Sequence, residues 1–361
     1  MFLERPAQIL AVIRDGMLRD AKMKNIGGRP VLVTTSPQPA GGGHRAENIK
    51  LALAFAAIYL VWGSTYLAIR YAVETIPPLV AVGIRHSIAG TILLAWAWAR
   101  GYRPTLAHWK SGFIIGAFFF LIGHGTLHWA EQYVGSGLAA LLIATEPMFI
   151  LVLASMFGQE RISRISALGL GVGVVGVAVL AGAGLTTKGS TFAGILAVLV
   201  GSLSWSVGVV IAPRLKLPSD ALARTAVPLV CGAVLLLIAA AVTGEFQQTH
   251  WANVSLKSLG GLAYLIVFGS IVAFTAYTWL LQRCSPTLVA THTYANPVVA
   301  VLLGWLLAAE PLTMRVVVAA VAILGAIVLI RRGEAQASAQ SKVRNQAAAD
   351  GELAAVIERA S

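Results

Sequence analysis

The chain contains few charged side chains: Asp, Glu, Lys and Arg make up 12% of its 361 residues, whereas hydrophobic residues make up 57%. A water-soluble fold cannot bury that much apolar surface, but a bilayer accepts it. The only two cysteines, Cys231 and Cys284, have no metal-ligand spacing and imply no disulfide framework. The composition therefore argues against a soluble protein and against a disulfide-stabilised scaffold.

Several sequence motifs are also missing. The chain has no phosphate-cradling glycine loop with a Walker lysine and no serine nucleophile elbow, so ATP hydrolysis within it is not expected. No cleavable signal peptide precedes the first apolar run, which starts only after residue 48 and is expected to insert as a signal anchor. The net charge of +12 does not predict a nucleic-acid partner, because basic residues collect at span ends and tails, as membrane topology requires.

What the sequence does contain is a series of apolar runs of roughly 16–23 residues, near the length that a spanning helix needs. Only helices satisfy the backbone in lipid at this length. The sequence therefore predicts an all-α integral membrane protein with ten transmembrane helices. The predicted spans are residues 51–69, 79–99, 112–130, 135–157, 165–185, 192–212, 225–243, 259–281, 288–308 and 312–330.

Two of these spans resemble each other. The stretch GSGLAALLIATEPMFILVLASMFGQERISR, from Gly135, matches SPTLVATHTYANPVVAVLLGWLLAAEPLTMR, from Ser285. Pro147 aligns with Pro297 and Glu160 with Glu310, each pair 150 positions apart. Internal duplication in a membrane-hydrophobic chain is typical of transporters.

The duplication divides the chain into four segments. We predict a first five-helix repeat at 49–186 and a second at 190–332. The Pro-, Gly- and Arg-rich residues 1–48 read as a flexible extension, and the polar residues 333–361 read as a disordered cytoplasmic tail.

Charge in the loops predicts the orientation. One alternating set of loops carries eleven Lys and Arg residues and the other carries three, so the rich side is cytoplasmic and both termini lie inside. An odd number of helices per repeat then turns the second repeat upside down. The prediction is two inverted five-helix repeats.

Aromatic residues are candidates to line a substrate path. Trp62 and Tyr66 share one face of the first span with Arg70, and Trp205 has a comparable place in the sixth span. The alternative is an ordinary packing stripe, with Arg70 extending to the outer surface. Serines around Trp205 suggest a partly wet face, although serines also join membrane helices.

The second span contains Arg85 and His86. An unpaired arginine in lipid is costly, so Arg85 should face a partner, a cavity or the interface. It is a candidate for binding substrate or for gating. The alternative is a structural ion pair with Glu74 or Glu131.

The third span places His124, His128 and Glu131 on one helical face. Two histidines one turn apart can bind zinc, but the glutamate of an HExxH motif is absent. The histidines could instead lie on a wet face and bind protons or substrate, or they could make structural hydrogen bonds. We predict no metal and no cofactor.

Glu146 is the least expected residue, because it lies near the middle of the fourth span, where a carboxylate must be protonated or face water or a cation. Pro147 follows it and cannot complete the helical hydrogen bond. His292 and Asn296 precede Pro297 at the corresponding place in the ninth span. Two polar, broken helices meeting at the midplane predict a binding site. The alternative for Glu146 is a protonated structural group.

The residues quoted above, together with the run YLVWGSTYLAIRYAVETIPPLVAVGIRHSIAGTILLAWAWARG from Tyr59, resemble an EamA-type transporter of the drug/metabolite transporter superfamily, and its YedA-like subgroup in particular. The resemblance covers roughly residues 50–330. It implies ten helices around a central cavity and gradient-driven export, and Arg85, Pro147 and Pro297 match recurrent family positions. His86, Glu146 and the N-terminal extension depart from the family pattern.

The sequence therefore predicts a secondary transporter in the bacterial cytoplasmic (inner) membrane, not an enzyme. It would export small metabolites, amino-acid-like or drug-like compounds by alternating access, with proton coupling. One alternative is a membrane-embedded, metal-dependent enzyme using the helix-three histidines, which metal analysis would reveal. A second is a passive uniporter, whose transport would ignore imposed gradients. The oligomeric state stays open.

Overall fold

The computed structural model describes residues 21–26, 29–34, 43–158, 162–184, 192–281, 283–284, 289, 292–333, 335–336 and 339. Glu160, most of the predicted flexible extension and most of the predicted tail lie outside the described residues. The chain divides into two compact units, residues 1–51 and 52–361.

The first unit contains an antiparallel hairpin that the sequence analysis did not predict. Strand β1 (Ala21–Ile26) pairs with β2 (Arg29–Thr34), with Ala21 opposite Thr34. The two residues between the strands are both glycine in the sequence, and a two-glycine link between β-prone runs is a hairpin signal. The prediction of an all-α protein therefore applies to the described part of the second unit and not to the extension.

Helices make up the rest of the described secondary structure. A single helical turn (Glu245–Gln248) and a 3-10 turn (Trp251–Asn253) lie between the seventh and eighth of them. The longer helices are α1 (residues 43–72), α2 (Pro78–Ala99), α3 (Leu106–Ala130), α4 (Ser136–Met156), α5 (Arg164–Gly184), α6 (Phe192–Arg214), α7 (Ala221–Val242), α8 (residues 256–281), α9 (His292–Ala308) and α10 (Met314–Gly333).

Eight helices in the described part of the chain are long and apolar enough to cross a membrane. The other two, α5 and α9, contain shorter apolar stretches, Arg164–Val179 and Ala295–Ala308, at two of the predicted spans. The prediction of a multi-pass membrane protein is therefore confirmed, with eight candidate spans.

Two kinds of cap start the helices. Thr105, Asp220 and Ser255 precede α3, α7 and α8 and accept hydrogen bonds from their first-turn amides. By contrast, α2 and α4 have no cap of their own, and carboxylates from distant parts of the chain replace it. Glu245 accepts from the first amides of α2, and Glu310 accepts from those of α4.

The interior helices are irregular at their centres. Eight-residue π-helical segments interrupt α3 at Ala117–His124 and α8 at Leu265–Val272, and a shorter one interrupts α1 at Ala57–Val61. Helix α4 consists of two pieces, Ser136–Ile143 and Glu146–Met156. Irregular turns of this kind are frequent at functional sites, because they leave backbone groups available for other partners.

Several polar contacts bring four loops together on one side of the bundle, which we call the far face. A shared depression of about 510 Å³ lies there, lined by residues 73–78 and by Trp129, Gln132, Tyr133, Glu245, Gln248, His250 and Asn253. The loops of the far face are residues 73–77, 131–135, 243–255 and 309–313.

Helices α3 and α7 approach backbone to backbone. A Cβ added at Gly116 would lie 2.7 Å from the amide nitrogen of Gly232 and 3.0 Å from the carbonyl oxygen of Pro228. Neither backbone atom can rotate away as a flexible side chain could. Gly116 is therefore required by the helix spacing.

Substituting Gly116 with alanine should lower the thermal midpoint of the purified protein by several degrees, because overpacking of this kind costs about 1–3 kcal/mol. The matched control is Gly171→Ala in α5, where an added Cβ meets nothing within 4 Å. A thermal melt in detergent measures both variants. Equal midpoints for the two would contradict the close approach of α3 and α7.

Candidate functional site

Trp62 connects three helices in the interior of the bundle. Its ring centroid lies 5.3 Å from that of Phe274, 5.2 Å from that of Tyr277 and 4.9 Å from that of His292. Its indole nitrogen donates to the carbonyl oxygen of Gly269 at 3.1 Å, within the π-helical segment of α8. The half-buried Trp62 thus joins α1 to α8 and α9.

Trp205 forms a second aromatic cluster in the interior. Its ring stacks on Phe119 at 4.1 Å and on His124 at 5.4 Å, and Phe120 meets it edge-on at 6.3 Å. The two clusters correspond to each other. Trp62 of the first half contacts Phe274 of the second, and Trp205 of the second half contacts His124 of the first, 150 positions before Phe274.

The serines around Trp205 do not form the wet face that the sequence suggested. Ser202 and Ser206 are fully buried and Ser204 is nearly so. Ser204 donates to the carbonyl of Phe118 at 2.8 Å, and Ser206 donates to the carbonyl of Ser202 at 2.8 Å. The packing alternative is therefore the right one, since buried hydroxyls find backbone acceptors on nearby turns and helices.

Three histidines form a connected series. His86 Nε2 lies 2.9 Å from His124 Nδ1, and the two rings stack at 5.0 Å. His128 Nδ1 donates to the carbonyl oxygen of His124 at 2.8 Å. Among the described residues, His86 Nδ1 and His128 Nε2 have no hydrogen-bond partner although both are buried. Nothing in the sequence indicated that His86 of α2 would meet His124 of α3.

The metal alternative requires further ligands near these histidines. Within the described ranges, no group of three or more His, Cys, Asp or Glu side chains is arranged to hold a metal ion.

Arg85 is buried, with 3% of its surface exposed. Its Nε donates to Ser270 Oγ at 3.0 Å, which links α2 to the π-helical segment of α8. Within the described part of the chain, Arg85 does not form the structural ion pair with Glu74 or Glu131 that the sequence left open. Glu74 pairs with Lys257 at 2.6 Å instead, and Glu131 has no hydrogen-bond partner among the described residues.

Glu146 is the first residue of the second piece of α4, at the break that the sequence placed next to Pro147. A helix N-terminus carries partial positive charge, so this position favours a carboxylate. The half-buried Glu146 interacts electrostatically with Tyr66 and Tyr277, and no lysine or arginine of the described chain forms an ion pair with it. A polar ligand could therefore compete for this group.

Asn296 connects α9 to the π-helical segment of α1. The Asn296 amide has one orientation in which its oxygen and its nitrogen both find hydrogen-bond partners. In that orientation the oxygen accepts from His292 Nδ1 at 3.3 Å. Its nitrogen then donates to the carbonyl oxygens of Ile58 and Tyr59 at 3.3 and 3.2 Å. His292 and Asn296 share a face as expected, and the amide anchors the helix next to Pro297.

Glu131 lies just beyond the end of α3, and both of its carboxylate oxygens are buried without a hydrogen-bond partner in the described chain. Burial raises its pKa well above the usual value, the charge of Glu310 raises this pKa further, and Arg70 opposes the rise. A protonated Glu131 is therefore favoured in the folded protein.

Substituting Glu131 with glutamine should raise the thermal midpoint at alkaline pH and change it little at acid pH. The folded-state pKa lies above the unfolded one, so the carboxyl group favours folding at low pH and loses that contribution as the pH rises through the raised pKa. Glu74→Gln is the control, since an exposed ion pair contributes about 0–1 kcal/mol. A midpoint difference that does not vary with pH would contradict the assignment.

Glu310 makes the most extensive set of polar contacts on the far face. Its Oε1 accepts from Arg70 at 2.6 Å, from the Ser136 amide at 2.7 Å and from the Ser136 hydroxyl at 2.8 Å. Its Oε2 accepts from the Gly137 amide at 3.0 Å. Arg70 therefore does not simply extend to the outer surface. In the sequence, Glu310 stands out only as a repeated residue.

A membrane bundle with broken helices and polar groups inside is typical of transporters as a class of protein. The sequence model of the EamA-like transporter family matches two segments, residues 49–182 and 192–332, which together make up more than half of the chain. The chain belongs to the EamA-like transporter family.

Relatives with similar sequences are also named as transporters. The chain is 38% identical over 283 residues to the uncharacterized inner membrane transporter YedA of Escherichia coli K12, covering 78% of this chain and 90% of the relative. It is 26% identical over 278 residues to the uncharacterized transporter YoaV of Bacillus subtilis, covering 76% and 94%. A solved crystal structure has the same fold, with a TM-score of 0.54, 22% identity, and coverage of 78% and 97%.

Proposed function

We propose that this membrane transporter is a secondary exporter of small metabolites, amino-acid-like or drug-like compounds that works by alternating access with proton coupling. It would lie in the cytoplasmic (inner) membrane with both termini inside. Its ten spans would form two inverted five-helix repeats, with α5 and α9 as the remaining two spans. The similarity to YedA, which is named an inner membrane transporter, supports this location.

Three findings support the inverted repeats. The family model matches twice, once in each half. The π-helical segments of α3 and α8 have the same length and correspond in position. The aromatic contacts of Trp62 and Trp205 are reciprocal between the halves. Two interlocked halves of this kind can rock against each other around a shared centre.

The observation that carries the proposal is Glu146 at the start of a half-helix, without a cationic partner in the described chain. In this proposal Glu146, with His124 or His128, carries the proton or meets a cationic group of the substrate. Trp62, Tyr66 and Trp205 supply aromatic walls, and His86, His292 and Asn296 line the same centre. Arg85 holds an anionic group.

The test begins with substrate identification. Metabolites excreted by cells that overproduce the wild type are compared with those from cells producing Glu146→Gln, and the enriched compounds are then assayed in proteoliposomes. Export that accelerates with an imposed inward proton gradient supports the proposal. Transport that ignores every imposed gradient would indicate a passive uniporter instead.

A further inference from the structure

We propose that Glu310 is the latch of a gate on the far face, which holds the start of α4 and the end of α1 closed and must release before the interior opens on that side. This inference rests on the alternating access proposed above. Four hydrogen bonds, from 2.6 to 3.0 Å, converge on this one carboxylate, and all of their donors come from the first half of the chain.

The surroundings of Glu310 form a cradle of glycines. A Cβ added at Gly304 would lie 2.5 Å from Oε2 of Glu310, and one added at Gly135 would lie 3.0 Å from the same oxygen. At Gly137 the distance would be 3.4 Å. The carboxylate thus lies between the end of α9 and the start of α4, and a side chain at these glycine positions would crowd it.

The backbone directs Glu310 into this cradle. The preceding residue, Ala309, has φ of 51°, a left-handed conformation that is unfavourable for a residue with a Cβ. The amide of Glu310 donates to the carbonyl oxygen of Gly304 at 3.0 Å, so the chain turns back along α9. This left-handed residue and the hydrogen bond after it form a Schellman-type cap, and the cap fixes the Glu310 carboxylate toward two elements of the other half.

The charges fit a reversible closure. The Arg70 side chain is 35% exposed and that of Glu310 is 13% exposed, so the pair lies at the boundary between protein and water. The N-terminus of α4 adds partial positive charge behind Ser136. Arg70 lies one turn from Tyr66 on the same face of α1, so releasing the latch would uncover the path toward Glu146.

A second cross-half ion pair on the same face provides the matched control. Lys257 and Glu74 also lie 2.6 Å apart, but their side chains are 50% and 40% exposed. Lys257 lies in the first turn of α8, but among the described residues no backbone amide donates to the Glu74 carboxylate and no glycine packs against it. It should contribute little to closure.

Accessibility of a reporter cysteine tests the latch without knowledge of the substrate. Tyr66→Cys is introduced into full-length protein in which Cys231 and Cys284 are replaced by serine. Labelling of Thr75→Cys, which lies in a far-face loop, first shows on which side of the membrane the far face is. A membrane-impermeant maleimide is then added from that side. Thr75→Cys is also combined with each gate variant, and its labelling shows that the variant still folds and inserts.

Glu310→Gln should raise the labelling rate at position 66 by roughly tenfold, the change expected from weakening one charge-assisted hydrogen-bond network. Gly304→Ala, which keeps the carboxylate but fills its cradle, should change the rate in the same direction. Glu74→Gln should leave it unchanged. Unchanged labelling in Glu310→Gln and Gly304→Ala, or an equal rise in Glu74→Gln, would overturn the latch.

Failure of the latch and failure of the proposed export give different results. If the latch is wrong, the wild type still transports in proteoliposomes while the labelling rates do not respond to Glu310. If the export proposal is wrong, the wild type does not move the excreted compounds under any gradient. The labelling rates of the Glu310 and Gly304 variants still report on the gate in that case.

Discussion

Glutamine in place of Glu146 is expected to lower transport and to remove most of its dependence on pH. One titrating carboxylate changes its proton occupancy by up to about tenfold per pH unit, and an amide of nearly the same shape does not titrate in this range. Because Glu146 starts a half-helix and has no cationic partner in the described chain, the substitution leaves the packing largely intact. The effect should therefore appear in transport and not in folding.

The measurement is transport into or out of proteoliposomes across the neutral pH range, with Glu146→Asp as the control. Aspartate keeps a titratable group at the same position, so its pH profile should keep its slope even if the rate falls. Thermal melts of all three proteins separate a transport defect from misfolding. A glutamine variant with the wild-type rate at every pH would remove Glu146 from the mechanism.

The second large effect is expected from Arg85→Ala, which should reduce transport by roughly tenfold to a hundredfold, the range for losing a hydrogen bond to a charged group. Arg85 is buried and has no carboxylate partner in the described part of the chain. A charge held in this way is available to an anionic group of a substrate. Arg85→Lys should restore only part of the activity, since an ammonium lacks the guanidinium fork.

Ser270→Ala distinguishes binding from positioning. This substitution removes the hydroxyl that accepts from Arg85 Nε but leaves the guanidinium in the interior. If Arg85 binds substrate, Arg85→Ala should raise KM far more than Ser270→Ala does. Equal losses in the two variants, without a change in KM, would show that Arg85 acts only by joining α2 to α8.

The local features of the fold could be read from the sequence because they depend on neighbouring residues. The apolar runs predicted ten spans, of which eight are long and apolar enough in the described chain, and Pro147 predicted the interruption of α4. The resemblance to EamA-type transporters is confirmed by the double family match. For the spans and for the interruption of α4, the physical cause, chain hydrophobicity or a missing amide hydrogen, lies within a few residues of its effect.

The contacts that assemble the site could not be read in this way. His86 meets His124 across two helices, and Glu310 meets Arg70 across 240 positions. Asn296 donates to two carbonyl oxygens, of Ile58 and Tyr59, in the π-helical segment of α1. Such contacts depend on how each helix is rotated about its axis and on where its π-helical segment lies. A single sequence has no periodic pattern that predicts the rotation or the position of such a segment.

Oppositely oriented halves are the central claim, and cysteine labelling at two corresponding loops tests it most directly. Thr75 lies in the loop after α1, and Ser219 lies in the loop after α6; both are exposed. In a full-length chain without Cys231 and Cys284, the account predicts that an impermeant maleimide added to intact cells labels Thr75→Cys, whereas Ser219→Cys reacts only after the membrane is permeabilised. Labelling of both positions from the same side would contradict the inverted repeat.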